Sequence, residues 1–157
     1  MTISRAITVA AAATMFLSVS VSGQDHEKKI KRSDLPTAVE NTVVEQSQGA
    51  TIRAFSQAKE NGQTFYEAEF VVNGHSKDVL MDLNGAVVEV EEQIPTESLS
   101  PAVRDGLQAK AGNGKIIKVE TLTKKGKLVA YEAKVLTSGK RSEVQVSPEG
   151  KPLDHEE

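Results

Sequence analysis

Residues 61–85 have the sequence NGQTFYEAEFVVNGHSKDVLMDLNG, and this stretch decides the fold. Three Asn-Gly pairs divide it, at Asn61-Gly62, Asn73-Gly74 and Asn84-Gly85. Asn and Gly tolerate the positive φ angles of a type I′ turn, so Asn-Gly between half-apolar segments predicts a β-hairpin. The stretch therefore predicts two full strands, Gln63–Val72 and Ser76–Leu83, with an outer strand joined at each end.

The outer strands are predicted at Ala50–Lys59 and Ala86–Glu91, which completes a four-stranded antiparallel meander. A short helix from Leu35 precedes them, with Asp34 as a candidate N-cap and Pro36 in the first turn. Successive strand residues point to opposite faces, so alternation assigns one apolar set to the helix side. That set is Tyr66, Ala68, Phe70, Val79, Met81, Val88 and Val90.

The same plan returns in the second half of the chain. Leu35–Val39 (LPTAV) matches Leu99–Val103 (LSPAV) at an offset of 64 residues, and Tyr66-Glu67-Ala68 matches Tyr131-Glu132-Ala133 at 65. Ser100 is a candidate cap for a second helix that Pro101 opens. The predicted strands that follow are Lys115–Lys124, Leu128–Thr137, Lys140–Ser147 and a short edge strand at Lys151–Asp154.

These elements predict an α+β fold of two tandem repeats, each with one helix packed on a four-stranded antiparallel meander sheet. The repeats would cover residues 33–94 and 95–157. Neither half alone buries much surface, because about 63 residues bury only around 60% of what their unfolded chain exposes. We therefore expect one compact double unit, and the sequence leaves open whether the two sheets join edge to edge.

The chain begins with a predicted export signal. One basic residue, Arg5, precedes the uncharged run Ala6–Val21, and Ser22-Gly23 ends it. That order is typical of a secretory signal peptide, here residues 1–23, with cleavage after Gly23. A retained anchor is the alternative, although the run is short of the roughly twenty residues that span a bilayer. We expect a periplasmic or secreted protein without stable membrane insertion, with a flexible charged lead-in at residues 24–32.

The composition argues against several functions. The chain has no Cys, so disulfides and Cys-ligated zinc are excluded. Its three histidines, His26, His75 and His155, belong to no evident nucleophile–base arrangement, so we predict no enzyme, no catalytic residue and no cofactor. Acceptors also cluster at residues 154–157, but tails hold metals badly, and no metal site is predicted. Moderate acidity argues against nucleic acid as a partner.

Acidic charge is concentrated in the first half. Residues 33–94 contain 11 acidic and 3 basic residues, whereas residues 95–157 contain 9 acidic and 11 basic ones. This asymmetry either steers a basic partner towards the first half or only keeps an exported protein soluble, and the sequence favours neither reading.

The strand face away from the helix is the candidate binding site. Apolar and acidic residues alternate along it, so it is either a solvated face with scattered apolar residues or a surface for an exported protein. We predict the binding surface. Its contact and rim residues are Phe65, Glu67, Glu69, Val71, Leu80, Asp82 and Leu136.

The matching segments also resemble a known family. In the first half they are Leu35–Val39, Gly62–Phe70 and Val79–Gly85, and in the second Leu99–Val103, Gly126–Val135 and Val144–Gly150. Their order resembles the PepSY-like domains, and more closely the tandem variant called β-lactamase-inhibitor-like. The second half departs from the pattern, with Ser147-Pro148 where the first has Asp82-Leu83, which argues against two equivalent sites.

The resemblance implies a secreted or periplasmic protein that binds another exported protein, and it offers no catalytic residue. We therefore predict a non-enzymatic protein-binding module that inhibits or regulates an exported enzyme such as a β-lactamase or a peptidase. The alternative is a small-ligand-binding or cation-binding envelope protein that uses the acidic first repeat.

Overall fold

The computed structural model describes residues 27–157, which form one eight-stranded antiparallel sheet with two helices. The strands lie side by side in chain order. They are β1 (Lys28–Ile30), β2 (Ala50–Glu60), β3 (Gln63–Val72), β4 (His75–Asp82), β5 (Val87–Gln93), β6 (Lys115–Lys124), β7 (Lys127–Thr137) and β8 (Lys140–Val146). Helix α1 (Thr37–Gln46) precedes β2, helix α2 (Pro101–Ala111) precedes β6, and a 3₁₀ turn leads into each. The predicted signal peptide lies outside the described residues, and no helix within them is long and apolar enough to cross a bilayer.

The predicted fold class, two tandem repeats with a four-stranded sheet each, is wrong. Strand β5 pairs directly with β6, with Glu89 opposite Lys124 and Gln93 opposite Glu120, so one sheet runs through the molecule. The second half supplies β6, β7 and β8, whereas Pro152 makes only an isolated bridge to Val146. Proline has no N–H to donate, so a fourth ladder does not form there. Joining the halves also removes two strand edges that separate sheets would expose.

Strand β1 comes from the segment that the sequence assigns to a flexible lead-in. Lys28, Lys29 and Ile30 lie opposite Gln57, Ser56 and Phe55 of β2. A strand of this kind needs backbone hydrogen bonds and no alternating apolar pattern, so the charged sequence gives no signal for it.

Both helices pack on the same face of the sheet, which we call the helix-covered face. Val39 and Val43 of α1 are fully buried in one apolar cluster, and Val103 and Leu107 of α2 are buried in a second. The predicted core set is confirmed at the positions that line the first cluster. These are Tyr66, Ala68, Phe70, Val79 and Met81, with Val90 partly buried against them.

One predicted core residue, Val88, is misplaced. The register between β4 and β5 shifts, because Leu80 lies opposite Glu89 whereas Met81 lies opposite Val87. This β-bulge places two residues of β5 against one of β4 and reverses the alternation beyond it. Val87 therefore packs against the core, and Val88 lies in a depression on the other face.

Two of the three Asn-Gly turns form as predicted. Asn61 and Asn73 have positive φ angles of 49° and 51°, and the glycine after each is also positive, as type I′ turns require. The third turn differs, because only its glycine has positive φ. There the Asp82 Oδ1 atom accepts hydrogen bonds from the backbone N–H groups of Asn84 and Ala86, at 2.8 and 2.9 Å.

The helix starts agree only partly with prediction. Ser100 caps α2, since its Oγ atom accepts from the Val103 N–H at 3.3 Å and Pro101 is the first helical residue. Asp34 does not cap α1. It lies in the preceding 3₁₀ turn, where its carboxylate accepts from the Lys31 N–H at 3.0 Å, and Pro36 stands at the helix boundary instead.

Candidate functional site

The face opposite the helices, here called the helix-free face, carries charged side chains at low exposure. Glu67 is 7% exposed and Glu120 only 1%. Charged residues are almost never this buried unless they are paired. Buried carboxyl groups are therefore the feature that distinguishes this face, and its members include Glu67, Asp78, Leu80, Glu91, Glu120 and Glu132.

An apolar depression of about 690 Å³ lies at one end of this face. Phe65, Leu80 and Val88 line it from three adjacent strands. Phe65 and Leu80 are diagonal neighbours across β3 and β4, because Phe65 lies opposite Asp82 and Glu67 opposite Leu80. Such neighbours lie within reach of an aromatic side chain. Glu89 and Lys124 at its rim face each other across the β5–β6 junction at 3.8 Å.

A second, charged depression of about 470 Å³ lies farther along β3 and β4. Its lining mixes both signs of charge. The lining side chains include Arg53, Glu69, Val71, Asp78, Lys118, Lys134 and Arg141.

Three carboxylates meet beside the charged depression, on the three strands around the β5–β6 junction. One oxygen each of Asp78, Glu91 and Glu120 lies within 4.8 Å of the others. Two lysines approach the same group. The Lys118 ammonium lies 2.5 Å from Glu120 Oε1, and the Lys134 ammonium 3.4 Å from Glu120 Oε2.

Burial, more than any single neighbour, sets the protonation of this face. Burial raises the pKa of Glu67 to about 8, with the nearby Asp78 carboxylate adding to the effect. Burial likewise raises the pKa of Glu91 to about 9, and Glu132 and Glu120 push it the same way. Desolvation favours the neutral acid, so these carboxyls resist ionisation at neutral pH.

The remaining shifted carboxyls follow the same rule, with lysines opposing it. Burial raises the pKa of Asp78 to about 6 against the attraction of Lys118, and that of Glu89 to about 7 against Lys124. Burial raises the pKa of Glu132 to about 7, although its hydrogen bond from Gln145 acts in the opposite direction. For Lys134, burial lowers the pKa, but attraction to Glu120 and Glu143 outweighs it and leaves that pKa raised.

The structure groups some of the predicted site residues and separates others. Phe65 and Leu80 line the apolar depression together, whereas Glu69 and Val71 line the charged one. Glu67 lies too deep to form a rim. Asp82 also lines the apolar depression, but its carboxylate holds the β4–β5 turn. Leu136, 37% exposed on β7, lines neither depression.

Several residues of this face were not found from the sequence. Glu91, Glu120 and Lys134 meet only because β5 pairs with β6, and the sequence left that pairing open. The charge asymmetry was the available signal. Part of it is resolved inside the molecule, where Lys124 of the more basic half approaches Glu89 of the acidic half.

The fold is shared with several solved protein structures from Bacteroides species. The chain is similar to a BLIP-like protein from Bacteroides fragilis, with a TM-score of 0.56, 22% identity, and coverage of 78% of this chain and 85% of that one. It is similar to a protein from Bacteroides eggerthii described as periplasmic, with a TM-score of 0.61, 17% identity, and coverage of 76% and 86%. It is also similar to a DUF2874 family protein from Bacteroides ovatus, with a TM-score of 0.59, 19% identity, and coverage of 76% of this chain and 85% of that one.

These likenesses show a shared fold and support the β-lactamase-inhibitor-like part of the resemblance, without singling out PepSY-like domains. The description of the B. eggerthii protein agrees with the predicted periplasmic or secreted location. No family model and no curated protein sequence matches the chain.

Proposed function

We propose that this chain is a non-enzymatic periplasmic protein that binds another exported protein through the apolar depression of its helix-free face. The observation that supports this proposal most directly is the grouping of Phe65, Leu80 and Val88 beside charged residues on one sheet face. An apolar patch rimmed by charge is typical of protein interaction sites. These three side chains are already partly buried, so covering the rest of their surface contributes less than the roughly 1.5–3 kcal/mol gained by burying a fully exposed one.

The depression fits a partner segment that inserts one apolar or aromatic side chain next to a basic residue. Its volume of about 690 Å³ suits a large side chain with part of its backbone. The half of the chain that supplies Phe65 and Leu80 carries 11 acidic residues against 3 basic ones. Glu67 and Glu91 resist ionisation at neutral pH, but the nine other acidic residues still outnumber the three basic ones. That excess would speed the encounter with a basic surface and disfavour an acidic one.

Inhibition of an exported enzyme is the most specific form of this proposal. It is supported by the fold shared with a BLIP-like protein, which by itself is a weak argument for function. In this form the inserted side chain belongs to an exported β-lactamase or peptidase, whose activity falls when it is bound.

The test first compares how much partner each variant of the chain captures, and then measures whether the chain inhibits that partner. Phe65→Ser combined with Leu80→Ser should reduce partner capture from an exported fraction by about 10-fold or more. Val44→Ser is the matched control, because Val44 is half exposed on helix α1, on the opposite side of the sheet. The captured partner, once purified, is then assayed with and without added protein.

Two outcomes would contradict the proposal. Equal capture by the double variant and by Val44→Ser would exclude the apolar depression as the binding site. A collapse of thermal stability in the double variant would show that Phe65 and Leu80 are core residues. A partner that binds with unchanged activity would support the binding module and reject the inhibitor.

A further inference from the structure

The carboxylates of Asp78, Glu91 and Glu120 converge from three neighbouring strands. Asp78 lies directly opposite Glu91, and Glu120 lies opposite Gln93, two residues farther along β5. Because β4, β5 and β6 are hydrogen-bonded to each other, the backbone fixes the spacing of these side chains. Ligands carried by regular strands are held more accurately than ligands on loops.

Glu132 provides an independent observation. It lies directly opposite Glu120 on β7, and its side chain is only 5% exposed. Its Oε2 atom accepts a hydrogen bond from Gln145 Nε2 at 2.9 Å, whereas Oε1 has no hydrogen-bond partner in the described residues. A buried carboxylate oxygen without a partner is costly unless a proton or a cation compensates its charge. Residues directly opposite each other on neighbouring strands point to the same face, so the Glu132 side chain lies beside Glu120 on the helix-free face, next to the cluster.

The lysines beside the cluster do not balance its charge. Within residues 27–157, Lys118 and Lys134 form their ion pairs with Glu120, and Lys134 also with Glu143. No ion pair in the described residues involves Asp78 or Glu91. Asp78, Glu91, Glu120 and Glu132 are thus four carboxyl groups beside two ammonium groups, so a divalent cation that binds here would replace the protons that burial retains on them.

The donor atoms are all oxygens. The Ser76 hydroxyl donates to Glu120 Oε1 at 3.2 Å, and the Gln93 side-chain oxygen accepts from the Ser76 N–H at 3.2 Å, so two neutral oxygens adjoin the carboxylates. The cluster contains no His or Cys, which suits a hard cation better than zinc. Asp78 and Ser76 also line the charged depression, through which an ion and its waters can enter.

We propose that Asp78, Glu91 and Glu120, with Glu132 beside them, bind one Ca²⁺ ion at the β5–β6 junction. Ca²⁺ takes six to eight oxygen ligands in flexible geometry, so carboxylates, neutral side-chain oxygens and waters can complete its shell. This site joins the two halves of the chain, and it differs from a cation site confined to the acidic first half.

The test is calorimetric titration of CaCl₂ into the chelator-treated protein, paired with thermal unfolding. One ion per chain should bind with a Kd of about 10⁻⁴–10⁻³ M, the range of extracellular modules, and raise the melting temperature. Asp78→Asn or Glu91→Gln should weaken binding by at least about 10-fold, because losing a direct ligand costs no less than losing a residue that supports one. Glu92→Gln is the matched control. It removes the same charge one residue along β5, at an exposed side chain on the other face, and should bind like the parent protein.

A gain of affinity provides a readout that misfolding cannot mimic. Lys118 pairs with Glu120 and competes with a cation for it, so Lys118→Met should bind Ca²⁺ more tightly than the parent protein. No heat and no melting shift up to about 10 mM Ca²⁺, well above the Kd range of such modules, would overturn the proposal. Equal binding by Glu91→Gln and Glu92→Gln would also overturn it, because the ion would then bind elsewhere.

Discussion

The two faces of the sheet are both largely shielded from water, yet they are built from opposite chemistry. On the helix-covered face, Val39, Phe70 and Val79 are buried among other apolar side chains. On the helix-free face, Glu67 and Glu120 are nearly as inaccessible. The first face gains stability from apolar burial. The second must offset the desolvation of carboxylates with lysines, hydrogen bonds and bound protons.

Stability and function depend on different faces of the sheet in this molecule. Replacing buried ion pairs by apolar residues often leaves a protein equally stable or more so, so a buried charged network is weak evidence for stability. Protein sites that depart from local rules of folding are often functional ones. The helix-free face is therefore the place to look for ligands and partners, and the helix-covered face is the place to look for folding energy.

The largest expected loss of stability follows a substitution in the core under the helix-covered face. Phe70 is 1% exposed in the first core cluster, so Phe70→Ala should lower the free energy of unfolding by about 3–5 kcal/mol, through lost burial and the cavity that remains. Phe65→Ala removes the same ring from the helix-free face, where it lines an open depression. Urea denaturation should show a clearly smaller loss for Phe65→Ala, and equal losses would mean that Phe65 is a core residue.

The next largest effect concerns the close packing of helix α2 against the turn that contains Gly150. Gly150 has a φ of +79°, and a side chain there would overlap the backbone carbonyl of Ala102 in α2. Gly126 has a similar φ of +76° with open space around it, so Gly126→Ala measures the backbone strain alone. Gly126→Ala should cost about 1–3 kcal/mol, and Gly150→Ala more than that, because α2 must also shift. Equal losses in urea denaturation would show that the close approach contributes nothing.

A smaller effect concerns the protonation of Glu67 on the helix-free face. Its pKa is raised from 4.5 to about 8, mainly by burial, with Asp78, Glu27, Glu69 and Glu89 adding to it. Below the unfolded value the carboxyl is protonated in both states. As pH rises from 4.5 to about 8, only the unfolded chain releases the proton, so stability falls.

Glu67→Gln mimics the neutral acid and should remove this loss. The variant and the parent should have similar stability near pH 4.5, and at pH 8 the variant should be more stable by about 1–3 kcal/mol. The control is Glu92→Gln, since Glu92 is exposed on the other face and should not alter the pH profile in this way. Parallel profiles for Glu67→Gln and the parent protein would mean that Glu67 ionises normally in the folded state.

The sequence predicted elements and their facing well, because these depend on local pattern. Alternation placed Phe70 and Met81 in the core, and the Asn61 and Asn73 turns formed with the expected dihedral angles. Alternation failed at Val88, where a one-residue β-bulge reverses the facing of the strand and no feature of the nearby sequence indicates the bulge.

The candidate site was harder to predict, because its residues meet through long-range pairing. Glu91 and Glu120 lie 29 positions apart in sequence and meet only across the β5–β6 junction. No periodicity within either half reports which strand edges join. The burial that shifts these carboxyls likewise follows from the assembled sheet, and for the same reason the sequence assigned Glu67 to a polar rim although it is 7% exposed.

The smallest expected effect lies outside both faces. Arg32 and Glu40 form a two-pronged ion pair with a shortest distance of 2.7 Å, and it ties the 3₁₀ turn to helix α1 at a partly exposed position. Exposed pairs of this kind contribute little to stability, because solvent screens them and two long side chains must be ordered. Arg32→Gln should therefore leave the free energy of unfolding almost unchanged, and any difference should shrink in high salt.

Lys134→Met tests a buried ion pair instead of an exposed one, since it removes an ammonium group from Glu120, which is 1% exposed. Removing one partner of a buried pair leaves an uncompensated charge and costs much more than an exposed pair. Urea denaturation at neutral pH should thus show a larger loss for Lys134→Met than for Arg32→Gln. A loss for Lys134→Met as small as that for Arg32→Gln would mean that water reaches Glu120 and that the helix-free face is an ordinary solvated surface.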